Sequence, residues 1–225
     1  MRRHRPQPIE RIFAPILLTA LLLACSPASA QSPEEPPSIE GLDQLRQFLD
    51  DTRTLQATFY QELLGPDGEV VELASGALSI KRPGRFLWRY AEPVEQLVIA
   101  DGTNLWIYDV ELEQATVTLL EDVAAASPAM LLSGEAALDE EFDVIESFEA
   151  DDVRWVRLAP KAEASDFRQI LIGFRGEILS QLWLLDSLDQ RTSIELVDLE
   201  VNLDLADTIF DFRPPSGVDV IGDAG

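Results

Sequence analysis

Hydrophobic and polar positions change their period near residue 54. Upstream, Leu42, Leu45, Phe48 and Leu49 recur at helical spacing and predict one short amphipathic helix over Ile39–Asp51. From Thr54 the period is two: Leu55, Ala57 and Phe59 alternate with Gln56, Thr58 and Tyr60. Gly65-Pro66-Asp67-Gly68 turns the chain and Val70–Lys81 returns as a strand. The densest stretch is Lys81–Gln114, with two of the four Trp and two of the three Tyr. There Phe86, Trp88 and Tyr90 share one strand face, and Leu87 and Arg89 share the other. Asp101-Gly102 supplies hairpin chemistry between Leu97–Ala100 and Leu105–Tyr108.

Ala115–Leu120 continues the alternation. Glu121–Gly134 interrupts it with an Ala-rich stretch, split by Pro128 and ending in Met130-Leu131-Leu132, which predicts one or two short inserted helices. Strands resume at Phe142–Phe148, Val153–Pro160, Phe167–Phe174, Ile178–Leu185 and Arg191–Val201, and Ile209–Phe212 precedes a turn-rich Pro214–Gly217. The pattern thus predicts a mainly β chain of roughly ten antiparallel strands that meander and curl, with a few helices. One strand is apolar on both faces, with Leu179, Trp183 and Leu185 set against Ile178, Leu182 and Leu184. A few helices are left to cover a large apolar sheet. That mismatch predicts a cavity, closed by protein or by a greasy ligand.

Composition narrows the chemistry. The first 30 residues read as an export signal: Arg2, Arg3, Arg5 and Arg11, an apolar Ile12–Ala24, then Ala28-Ser29-Ala30 as a cleavage site. Gln31–Ser38 is Pro-rich and acidic and reads as a disordered leader. The expected organisation is a signal peptide over 1–30, a leader over 31–40 and one domain over 41–225. Cleavage at Ala30 removes the only Cys, Cys25, and the only His, His4. Thiol and imidazole nucleophile systems and His/Cys zinc sites leave with them. No catalytic residue, metal ligand or cofactor site is expected. Leu22-Leu23-Ala24-Cys25 also reads as a lipobox, which would leave Cys25 lipidated and the chain anchored. The net charge of −24 argues against nucleic acid and anionic membrane surfaces and favours basic partners or a high-salt habitat.

Several short motifs occur in one order along nearly the whole mature chain. They are Phe59-x-Gln61, Lys81-Arg82-Pro83 leading to Phe86-x-Trp88, and Asp101-Gly102-x-x-Leu105-Trp106-x-Tyr108. Glu113-Gln114-Ala115-Thr116, Ser127-Pro128-x-Met130-Leu131-Leu132, Leu158-x-Pro160-Lys161-Ala162, Asp189-Gln190-Arg191 and Phe212-x-Pro214-Pro215-x-Gly217-Val218 extend them. In this set the chain resembles the LolA family, the periplasmic carriers of outer-membrane lipoproteins. The resemblance implies an incomplete, half-open antiparallel β-barrel whose concave apolar face lies under a helical lid. It also implies a non-enzymatic carrier that takes lipoprotein acyl chains from an inner-membrane ABC transporter to an outer-membrane receptor lipoprotein.

By the same resemblance Arg82 is the lid latch, and Phe86, Trp88, Trp106, Met130, Leu131, Leu132 and Leu182 are lipid-binding positions. On position alone, Arg82 is a strand-end charge kept extended by Pro83, and the aromatics are core. The runs Asp139-Glu140-Glu141 and Asp151-Asp152 read as solvated loops. Two other functions remain open on the residues: an anchored receptor or signalling module if Cys25 is lipidated, and a hydrolase using two carboxylates.

Overall fold

The computed structural model describes residues 39–123, 128–134, 137–162 and 165–225. The expected signal peptide and most of the expected leader lie outside the described residues, and so do His4, Cys25 and the Ala28-Ser29-Ala30 site. Helix α1 spans Ile39–Asp51, so it takes in the last two residues assigned to the leader. It buries Leu45 completely, with Leu42, Phe48 and Leu49 beside it on the same stripe. Phe48 meets Phe174 edge-on at 5.6 Å between ring centroids. A Cβ on Gly41 would fall 2.0 Å from Ser147 Oγ and 3.1 Å from Ser147 Cβ, so glycine lets the helix lie close to the sheet without displacing Ser147.

Twelve strands form one sheet among the described residues. β1 (Thr54–Leu64), β2 (Val70–Lys81), β3 (Arg85–Glu92), β4 (Gln96–Asp101), β5 (Asn104–Asp109) and β6 (Gln114–Leu119) make one antiparallel meander. Helices α2 (Pro128–Ser133) and α3 (Leu138–Glu141) follow. β7 (Phe142–Ala150), β8 (Val153–Pro160), β9 (Phe167–Arg175), β10 (Ile178–Asp186) and β11 (Arg191–Val201) make a second meander. Antiparallel pairing of β1 with β11 joins the two, from Leu55 opposite Val201 to Leu64 opposite Arg191. β12 (Asp219–Ile221) returns to pair in parallel with β6. The sheet ends at β7 on one side and β12 on the other, so it does not close.

After β11 a 3-10 turn at Asp207–Ile209 drops Phe210 into full burial before the last strand, at Asp219–Ile221. Two expectations need correction. Leu179 does not share a face with Trp183. A bulge lets Leu179 oppose Phe174 while Gln181 opposes Gly173, and the extra residue, Ser180, donates its hydroxyl to the Gly173 carbonyl at 3.2 Å. That single extra residue swings Leu179 onto the face of Leu182 and Leu184. Finally, Asp139-Glu140-Glu141 is not a loop. It lies in α3, where Asp139 pairs with Arg46 of α1 at 2.8 Å. Asp151-Asp152 does turn the chain, between β7 and β8, with both residues at positive φ.

The main core lies on the inner face of the sheet, beneath the helices. It combines α1, α2 and α3 with inward residues of both meanders. A second, smaller core lies on the outer face of β4, β5 and β6, where Ile99, Trp106, Tyr108, Ala115 and Val117 pack with Phe212 and Val218.

Candidate functional site

The inner face of β3 is an aromatic wall. Phe86 and Trp88 are buried there, and Tyr90 is half-buried at the same face. Phe59 of β1 stands behind them, edge-on to Trp88 at 5.4 Å and to Tyr90 at 5.1 Å. The space for Phe59 comes from Gly76 across the strand pair, where a Cβ would meet Arg89 O at 1.9 Å and Phe59 at 2.9 Å.

In front of this wall is an apolar cavity of about 400 Å³. Phe86, Trp88, Val98 and Leu105 line it from the first meander, Phe167, Leu184 and Ile194 from the second, and Ala129 and Met130 from α2. Gln61, Tyr90 and Thr192 are its polar members, and it contains no charged side chain among the described residues. The Tyr90 hydroxyl donates to Gln61 Oε1 at 3.3 Å. Burial, reinforced by the nearby Glu72 carboxylate and opposed by the Gln61 bond, pushes Tyr90 up to about 12, so it stays a neutral phenol. Clefts of about 730 and 750 Å³ also flank α1, but charged groups such as Arg46, Asp50, Arg53 and Arg154 line them. Its uncharged lining suits the apolar cavity to a hydrocarbon.

One side chain bonds to two of the helices that cover this face. Arg82 follows β2, and its Nε donates to Leu132 O of α2 at 2.8 Å while Nη1 donates to Leu49 O of α1. Both acceptors lie in last helical turns, where carbonyls lack intrahelical partners. One guanidinium therefore caps two helix C-termini and places a cation where both dipoles favour it. Backbone bonds reinforce the seam: Arg82 N donates to Arg53 O at 2.8 Å and Gly84 N to Ser133 O at 3.0 Å. α1 packs on β7 and β8 and α2 on β2 and β3, so Arg82 joins covers of opposite halves of the sheet. Burial pulls Arg82 below the ordinary guanidinium value, against the opposing pull of Asp50, and its Nη2 is buried without a partner among the described residues. These bonds are made at some cost in desolvation.

The structure brings together Phe86, Trp88 and Met130 at the cavity. Leu131 and Leu132 are buried in the main core, holding α2 in place. Leu182 is fully buried in the same core, and the cavity position belongs to Leu184, one strand step further on. Trp106 does not belong with these residues. Leu105 faces the cavity, so its neighbour Trp106 faces the opposite way, into the outer core against Phe212 at 5.4 Å. Sequence reasoning missed Val98, Leu105, Phe167, Leu184 and Ile194. The parity of Val98 with Leu105 and of Leu184 with Ile194 depends on strand register, which short apolar runs do not display.

The LolA family model, described as outer membrane lipoprotein carrier protein LolA, matches residues 50–213. The outer-membrane lipoprotein carrier protein of Methylococcus capsulatus is 37% identical over 206 residues, covering 92% of this chain and 97% of its own. That of Halorhodospira halophila is 39% identical over 208 residues, covering 92% and 93%. Among solved structures, a conserved protein of Thermus thermophilus aligns with a TM-score of 0.50 at 12% identity over 81% of this chain and 96% of its own, a likeness of fold alone. With its open sheet, its apolar cavity and these matches over most of its length, the chain belongs to the LolA family of outer membrane lipoprotein carrier proteins.

Proposed function

We propose that this chain carries lipoproteins through the periplasm by taking their acyl chains into the cavity faced by Phe86, Trp88 and Met130. The observation that carries this reading is an uncharged apolar cavity of about 400 Å³ under helices, two of which share one arginine at their C-termini. Acyl chains in water cost about 0.8 kcal/mol per CH₂, so a soluble escort has to enclose them. The cavity is at the low end for a drug-sized ligand, so cargo with several chains requires the cover to move. Two bonds from Arg82 suit that need. They favour the covered form, yet they are few enough for lipid contact to replace them. Met130, flexible and polarisable, refits around chains of varied length.

On this reading the donor is an inner-membrane lipoprotein-releasing ABC transporter and the acceptor an outer-membrane receptor lipoprotein. No covalent step is involved. Proteoliposomes containing the transporter and a lipoprotein test it directly. In the presence of ATP the mature chain should bring lipoprotein into the soluble fraction and then yield it to liposomes carrying the receptor. Lipoprotein that stays in the donor membrane would refute the reading. The mass of the mature N-terminus separates a free carrier beginning near Gln31 from an anchored form acylated at Cys25.

A further inference from the structure

Trp88 and Trp106 are equally exposed, at 7% each, but their indole N–H groups differ. Trp106 Nε1 donates to Asp101 Oδ2 at 3.1 Å. Trp88 Nε1 is buried with no acceptor among the described residues. A buried donor left unpaired is costly and uncommon. The ring has little freedom to turn away, because Phe59 stands edge-on behind it and Leu78 and Val98 flank it on the neighbouring strands. Trp88 also lines the cavity, so an occupant can bring the missing acceptor.

The surroundings limit what that acceptor can be. No charged side chain lines the cavity among the described residues, which disfavours phosphate or carboxylate. A hydroxyl would bring a donor of its own that needs a further acceptor. Tyr90 is already committed to Gln61. A neutral carbonyl oxygen, which accepts and does not donate, meets the need of a lone N–H in apolar walls.

We propose that Trp88 Nε1–H receives a carbonyl oxygen at the head of an acyl chain, so that the site distinguishes acyl from alkyl occupants. This rests on the reading of the cavity as an acyl-chain site. The carbonyl can come from a glyceryl ester or from an N-acyl amide.

Four synthetic lipopeptides of equal chain length separate the sources as matched pairs: a diester and a dialkyl ether, each with a free amine, and two dialkyl ethers, one with an N-acyl amide and one with an N-alkyl amine. The wild-type protein should bind one or both carbonyl-bearing probes about fivefold more tightly than their carbonyl-free counterparts, which is about 1 kcal/mol. Trp88→Phe should abolish that preference while weakening all probes alike through lost ring contact. The probe that shows the preference identifies the carbonyl. In the wild-type protein with labelled indoles, the Trp88 Nε1–H resonance should move downfield with that probe and stay in place with its carbonyl-free counterpart, a readout that does not depend on the variant folding. Equal affinity within both pairs, a preference that survives Trp88→Phe, or an indole resonance indifferent to the carbonyl would each overturn the proposal alone. Failure of the wild-type protein to bind any of them would overturn the acyl-chain reading together with it.

Discussion

The two faces of the first meander hold the same kind of residue to different ends. Inside, Trp88 stands beside a cavity, and the cover above it is fixed through Arg82. Outside, Trp106 is bonded to Asp101 and packed with Tyr108 under Phe212, which lies 5.4 Å from each ring. The outer cover is the C-terminal segment. It is tied by the pairing of β12 with β6, by Lys81 Nζ on Leu205 O at 2.6 Å, and by Asp207 between Lys81 and Arg85 at 2.5 and 3.1 Å. Burial of an aromatic thus says little about its role. The outer cover is itself paired into the sheet, whereas the inner cover consists of helices laid on it, two of whose C-termini share Arg82.

The largest separation of the two faces should come from Phe86→Glu. An unpaired carboxylate among acyl chains costs about 3 kcal/mol or more, so lipopeptide affinity should fall a hundredfold or further. Unfolding in urea should change by less, because the cavity admits water to the new group. If delivery of lipoprotein by this variant matched the wild type, the inner face would be ordinary core.

Phe212→Ala should give the converse. Loss of a half-buried ring is expected to lower unfolding free energy by about 2 kcal/mol, below the range for fully buried rings, while lipopeptide affinity stays within twofold. A drop in affinity as large as the drop in stability would show that the faces are not independent.

Arg82→Leu sharpens the contrast between the covers. Removing two charge-assisted bonds is worth about 2 kcal/mol, so amide exchange in the last turns of α1 and α2 should speed up about thirtyfold. Exchange in β5 and β6 should not change. Cargo should still be accepted, but its release should be poor, since the covered form that competes with lipid is weakened. Unaltered exchange at both helices would remove Arg82 from the role of latch.

Acid should act on the outer face first and most gently. Burial raises Asp101, but bonds from the Asn104 and Thr103 amides and from the Asn104 and Trp106 side chains outweigh it and hold the carboxyl below its usual value. Asp207 is also lowered, first by its bond from Lys81 and then by that from Arg85. A carboxylate depressed in the folded state stabilises above the unfolded value, near 3.9, and the contribution fades as pH falls through the lower folded value. Near-ultraviolet dichroism should therefore show the Trp106 environment loosening below about pH 4, an effect absent from Asp101→Asn. An acid transition unchanged in that variant would assign it to other groups.

Much of this was legible beforehand because local patterns carry it. Helical spacing gave α1 its bounds, alternation gave β2, β8 and β11 theirs, and Phe86 with Trp88 kept a shared face because period two leaves no choice over three residues. The face of Leu179 is not legible, because a one-residue bulge reverses every later side chain and leaves no mark in the alternation. Trp106 lies on the face opposite Leu105, and which of the two faces the cavity is settled by strand register, which the alternation does not display.

By itself, the amino-acid sequence determined which segments pair with water and which with hydrocarbon, for that depends on residues within one turn or one strand. It also determined that a mainly β chain with few helices would be short of cover. Only the tertiary structure decided which meander edge meets which, through the pairing of β1 with β11. It likewise decided that Leu184 and Ile194 complete a cavity begun by Trp88, and that Arg82 spans two helix ends. These are contacts between residues far apart in the chain. Their partners are chosen by the fit of whole faces, and no local period encodes that choice.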